Sequence, residues 1–152
     1  MAIRKKANTQ TDDSGVLREQ WLTVLADLTT SVKRWAEELD WSTRQIPKKM
    51  KDSRLGAYEA PALLMQKDTT RVLLDPVARF TPGADGLVDL YLMPAYDDIA
   101  SLYLVDGKWR LHYMYAGTPT VATIQQAESH PLSRETIGLV LNEMSIHAES
   151  AL

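Results

Sequence analysis

From Val16 to about Trp41, apolar side chains return at steps of three and four: Leu17, Trp21, Leu25, Leu28, Val32, Trp35 and Leu39. Arg18, Glu19, Asp27, Lys33 and Glu37 fill the positions between them. That spacing lines one side of a 3.6-residue turn, so a long amphipathic helix is expected. Ser14 or Asp13 is placed to cap its first turn. The tryptophans on the stripe read as core or dimer-interface residues.

The pattern then changes to short runs rich in Leu, Val and Tyr, expected as strands near 58–66, 71–80, 87–93, 99–105 and 108–115. Asp68-Thr69 and Asp106-Gly107 fit two-residue hairpin turns, and Pro82-Gly83 and Pro94 mark longer connections. Strands joined so tightly pair with their sequence neighbours, which predicts an antiparallel meander. The polar stretch from Arg44 to Arg54 is expected to link helix and sheet, with a helical turn after Pro47. Thr118-Pro119 could open a short helix through Ala127, His130-Pro131 would end it, and Ser133 would cap a final helix. In that last helix Ile137, Val140, Leu141 and Met144 form the apolar side. The fold class is therefore α+β: one antiparallel meander sheet of about five strands with N- and C-terminal helices packed on one face. Residues 1–14 read as a disordered polar tail and 15–152 as a single domain.

Side-chain parity then sorts residues onto two sides of the sheet. With Asp106-Gly107 as a turn, Leu104 faces Trp109, Leu102 faces Leu111 and Ala100 faces Tyr113. Across the Pro94 loop, Leu92, Leu90 and Val88 fall opposite Ala100, Leu102 and Leu104, and the first turn sets Leu63 with Leu74 and Met65 with Val72. This dry side should receive the helices. On the other side Asp89, Tyr103 and Arg110 form one row, and Tyr91, Ser101 and His112 the next. Arg79 and Tyr58 extend the first row if the 81–86 loop keeps parity. Two guanidinium groups, several phenols and one imidazole converge there, a surface suited to an acidic ligand or a partner's chain. The candidate ligand-binding residues are Arg79, Asp89, Tyr91, Tyr103, Arg110 and His112.

Composition narrows the chemistry. The 152 residues are 45% hydrophobic and 24% charged, with a formal net charge of −3, which gives no global pull towards nucleic acid or anionic membranes. There is no cysteine, which removes thiolate nucleophiles, disulfides and Cys-based zinc sites. No apolar run approaches the roughly 18 residues of a membrane span, and the opening segment lacks a secretory apolar region. A cytoplasmic protein without a membrane partner is expected.

A local basic cluster, Arg44, Lys48, Lys49, Lys51 and Arg54, could hold phosphate or an acidic surface, though no aromatic interleaves to stack on bases. Nucleic acid is accordingly not the expected partner. Asp89 with Asp106-Gly107-Lys108 resembles the spacing of PD-(D/E)xK nucleases, which implies a metal-dependent phosphodiesterase using Asp89, Asp106 and Lys108. The same Asp-Gly pair is accounted for by the hairpin turn. His112, His130 and His147 have no metal-ligand spacing, and no glycine-rich phosphate loop is present, so neither metal nor cofactor is expected. The helix-sheet-helix order is similar in outline to bacterial secretion chaperones, and this resemblance implies a small acidic dimer. The function expected is a non-catalytic protein- or peptide-binding adaptor domain, a homodimer, using the polar aromatic side of its sheet.

Overall fold

The computed structural model describes residues 2–115 and 128–150, so the short helix expected from Thr118 to Ala127 lies outside the described residues. Helix α1 spans Ala2–Glu38 and is followed by strands β1 (Ser42–Asp52), β2 (Gly56–Lys67), β3 (Thr70–Ala78), β4 (Gly86–Met93), β5 (Asp97–Val105), β6 (Lys108–His112) and β7 (Ser129–Pro131). Helix α2, Arg134–Ser150, completes the described chain. The strands form one antiparallel sheet in sequence order. No helix among the described residues is long and apolar enough to cross a membrane.

One expectation about α1 is corrected. Asp13 and Ser14 lie inside the helix, which spans Ala2–Glu38, instead of capping it. At the other end, Asp40 takes a left-handed conformation (φ 69), Asp40 N bonds Glu37 O at 3.1 Å and Trp41 N bonds Ala36 O at 2.9 Å. That is a Schellman termination, which turns the chain back and buries Trp41 against the core.

The sheet has seven strands, not about five. The stretch read as a polar linker is β1, and the reason it hid is its position at the sheet edge. An edge strand has one neighbour and little to bury, so lysines and Pro47 replace the apolar alternation that marks an inner strand. Half-buried Ile46, Lys48 and Met50 at every second position are the trace of that strand in the sequence. His130-Pro131, read as a breaker, belongs to β7, whose three residues are too few to show a period.

The two helices pack on one side, as expected. Trp21, Leu25, Leu28 and Val32 of α1 and Ile137, Val140, Leu141 and Met144 of α2 are buried with Leu63, Leu74, Leu90, Leu102 and Leu111 of the sheet. Ser133 caps α2, its Oγ accepting from Thr136 N at 3.2 Å, while Ser133 N donates to Thr136 Oγ1 at 2.8 Å. Leu63↔Leu74, Met65↔Val72, Leu104↔Trp109 and Leu102↔Leu111 pair as expected. Asp106 and Gly107 both have positive φ (51 and 76), the geometry a two-residue hairpin turn needs. Between β4 and β5 the register differs by two residues from expectation: Val88 faces Leu102 and Leu90 faces Ala100, with an irregularity between Leu90 and Leu92. An even slip keeps every side chain on its own side, so the partition survived it.

Gly86 holds α1 against the sheet. A Cβ there would stand 2.7 and 2.8 Å from two Trp21 ring carbons, so the indole lies directly on the Gly86 backbone. Gly86→Ala is expected to lower unfolding free energy by about 1–3 kcal/mol through overpacking, read by urea denaturation; an unchanged midpoint would contradict this packing.

Candidate functional site on the polar side of the sheet

Reading straight across the ladder, Asp75 faces Asp89, Asp89 faces Ser101, Ser101 faces His112 and His112 faces Ser129. One polar row thus crosses β3 to β7. The parallel row carries Leu87, Tyr103 and Arg110, so Tyr103 and Arg110 are cross-strand neighbours as expected. Asp89 meets Ser101 instead of Tyr103, because of the two-residue slip.

Directly opposed carboxylates repel, and Asp75 and Asp89 share their rung because each has its own donors. Lys48 Nζ lies 2.7 Å from Asp75 Oδ1 and 2.7 Å from Pro76 O. Asp89 Oδ1 accepts from Ser101 Oγ at 2.7 Å and Oδ2 accepts from Tyr91 OH at 2.8 Å. Burial pushes the Asp89 carboxyl above the usual aspartate range, with Asp75 adding to the push, while Ser101, Tyr91 and Lys48 oppose it. Burial and donation to Asp89 likewise raise the Tyr91 phenol. Ser101 is buried and its proton points to Asp89, so it is not arranged as a nucleophile activated by His112.

At the β6 end the row opens into a cavity of about 670 Å³ lined by Tyr103, Lys108, Arg110, His112, Asp106 and Ser129, among others. The Tyr103 and His112 rings meet edge-on at 4.9 Å. Arg110 Nε donates to Ser129 Oγ at 2.8 Å and Nη2 to Ser129 O at 3.0 Å. Those two bonds fix the plane of the guanidinium.

Other candidate residues lie elsewhere. Arg79 follows the end of β3, and its guanidinium carbon sits 4.6 Å from the Phe80 ring and 5.9 Å from the Trp21 ring. It donates to Asp85 O and does not reach Asp89. The cause is register: Asp89 faces Asp75, four residues before Arg79 along the chain, so Arg79 stands beyond that rung. Tyr58 also leaves the row; its hydroxyl accepts from Trp21 Nε1 at 3.2 Å. The basic cluster is divided by strand alternation, Arg44 and Lys48 on one side of β1 and Lys49 and Lys51 on the other. Arg54 lies 4.0 Å over the Phe80 ring.

Asp89 and Asp106 are not brought together. Asp89 faces Ser101, and Asp106 is five residues further along, about 16 Å at roughly 3.3 Å per residue. One metal ion does not span that gap. Among the described residues no three His, Asp or Glu side chains are grouped to hold a metal.

A second polar cluster escaped the sequence reading. Tyr113 OH donates to both Asp98 oxygens at 2.9 Å, His147 Nδ1 lies 2.6 Å from Asp98 Oδ2, and His147 Nε2 lies 3.7 Å from Glu143 Oε1. Burial, then donation to Asp98, raises the Tyr113 phenol far above its ordinary value. The cluster pins the last turns of α2 to the start of β5. Its signal was slight: His147 follows buried Met144 by three positions and so continues the packed stripe of α2.

Comparison of the chain with known protein families, with curated proteins and with solved structures finds no match in any of the three.

Because the folded Asp89 carboxyl is raised, its burial opposes folding when ionised, and that penalty disappears as pH falls through the raised value towards the ordinary 3.8. Asp89→Asn does not titrate. Urea unfolding of both proteins between about pH 7 and about pH 4 should show wild type gaining stability relative to the variant on acidification; a relative loss would contradict the burial of this carboxylate.

Proposed function

We propose that this chain is a non-catalytic protein- or peptide-binding domain, and that its partner presents a carboxylate-bearing segment to the polar aromatic side of the sheet. The observation that carries this reading is the 670 Å³ cavity at Tyr103, Arg110 and His112. Two cations, Lys108 and Arg110, stand at a wall of aromatic edges, and a pocket of this size accommodates a peptide segment of a few residues. Arg110 is already oriented by Ser129, so little ordering is lost when its other terminal nitrogen meets an acceptor. Charge complementarity supports an acidic ligand in this corner, and the surrounding hydrogen bonds support binding over reaction. The hydroxyl beside His112 is committed to a carboxylate, and the carboxylates that would share a metal stand apart.

Fluorescence anisotropy with labelled pentapeptides of Glu and Tyr, each with a free C-terminal carboxylate, tests the reading. Wild type should bind, and Arg110→Ala should weaken binding by about tenfold or more, the loss of one charge-assisted hydrogen bond. Equal affinity of the two proteins would overturn it. Sedimentation of the same samples reads whether the protein acts as a homodimer.

A further inference from the structure

β1 ends the sheet, and its outer edge is long. The strand has 11 residues, each paired to β2 on its inner side. Which backbone groups point outwards follows from two prolines. Pro47 and Pro61 are directly opposite, and neither has an N–H, so this rung is a non-hydrogen-bonded one. Alternation then makes Ser42, Arg44, Ile46, Lys48, Met50 and Asp52 the residues bonded to β2. The hairpin between β2 and β3 agrees independently: Lys67 and Thr70 close a two-residue turn and must be a bonded pair, which turns the odd-numbered residues of β2 towards β3 and the even-numbered ones towards β1. The amides of Thr43, Gln45, Lys49 and Lys51, and their carbonyls with that of Pro47, therefore face outwards. Among the described residues none of these groups bonds another element.

The side chains around this edge are selective. Arg44 is exposed on one side of β1, and Lys49 and Lys51 are exposed on the other. Lys48 is taken by Asp75, and the strand's one carboxylate, Asp52, accepts from Arg54 N and Leu55 N at 2.6 and 3.0 Å. Lysines and proline also guard an edge against indiscriminate pairing. Here the guard has a key: carboxylates opposite the cations convert repulsion into attraction.

We propose that the outer edge of β1 accepts an extended acidic segment of a partner protein as a further antiparallel strand. Opposite Lys51, Lys49 and Arg44 the segment would carry acids at its first, third and eighth positions. Main-chain bonds would supply affinity and the charges would set register. One rung is incomplete, because Pro47 has no amide to offer. A second copy fits less well, since pairing about a two-fold axis at Pro47 would oppose two prolines in a rung that needs N–H groups and bring two cation-rich edges together. Nucleic acid fits less well too, as β1 presents no aromatic ring for base stacking. The site is separate from the cavity at Arg110.

The probe is a fluorescein-labelled decapeptide of Thr and Val with Glu at its first, third and eighth positions, in two forms N-methylated on alternate amides. Binding to wild type should persist when the outward amides are methylated and vanish when those facing β1 are. Gln45→Pro, which removes an outward N–H and leaves the β2 rungs intact, should weaken binding about tenfold or more. Lys49→Glu with Lys51→Glu should abolish it, and Arg110→Ala should leave it unchanged. Equal affinity for the two methylated forms, tighter binding of oligothymidylate than of peptide, self-association lost in Gln45→Pro, or no binding at millimolar peptide would each overturn the proposal. If Gln45→Pro fails to fold, the methylated peptides on wild type still decide.

Discussion

Partners across an antiparallel rung point the same way, and this chain is built on two adjacent lines of rungs with opposite character. Leu74, Leu90 and Ala100 form a dry line, and one residue away Asp75, Asp89 and Ser101 form a polar one. A one-residue slip would drive both carboxylates under the helices and turn the leucines to water. Burying two carboxyls, even protonated, while exposing a row of leucines would cost a large part of the roughly 5–15 kcal/mol by which a domain is stable, so the register is strongly specified. Helix packing and the candidate site are both consequences of that choice.

The helices pack on the dry side. Trp21 lies on Gly86, Trp41 closes the end of α1, and the Asp98, Tyr113 and His147 cluster ties α2 to β5. With both helices committed to one side, the polar row is left as a surface whose residues are held by one another. Lys48 secures Asp75, Ser101 and Tyr91 secure Asp89, and Ser129 secures Arg110. A surface ordered in this way loses little freedom when a ligand arrives.

Much of this was legible in the residues. Steps of three and four located the helical stripes, and Asp106-Gly107 set a register that placed Tyr103 beside Arg110 and Ser101 beside His112. What escaped has physical reasons. β1 is an edge strand, so its polar alternation resembles a linker, and β7 is too short to show a period. Arg79 was placed by carrying parity across the 81–86 loop, but Asp89 pairs with Asp75, four residues earlier, and the Arg79 guanidinium turns towards Trp21 and Phe80. The Asp98–His147 pair joins residues 49 apart, a contact made by packing and invisible to local pattern. The nuclease-like spacing failed to converge for a geometric reason: along a strand, five residues are length, not proximity.

The binding role proposed at the Arg110 cavity and the strand-accepting edge proposed at β1 would make different use of the same sheet, one through side chains and the other through main chain. An apolar groove beside Trp35 and Trp109, between α1 and β6, is the competing surface. Amide chemical-shift mapping during titration with the Glu- and Tyr-containing pentapeptides separates these possibilities most directly. Shifts centred on Tyr103, Arg110, His112 and Ser129 are expected. Shifts confined to Trp35 and Trp109, or none at saturating peptide, would contradict a binding face on the polar side of the sheet.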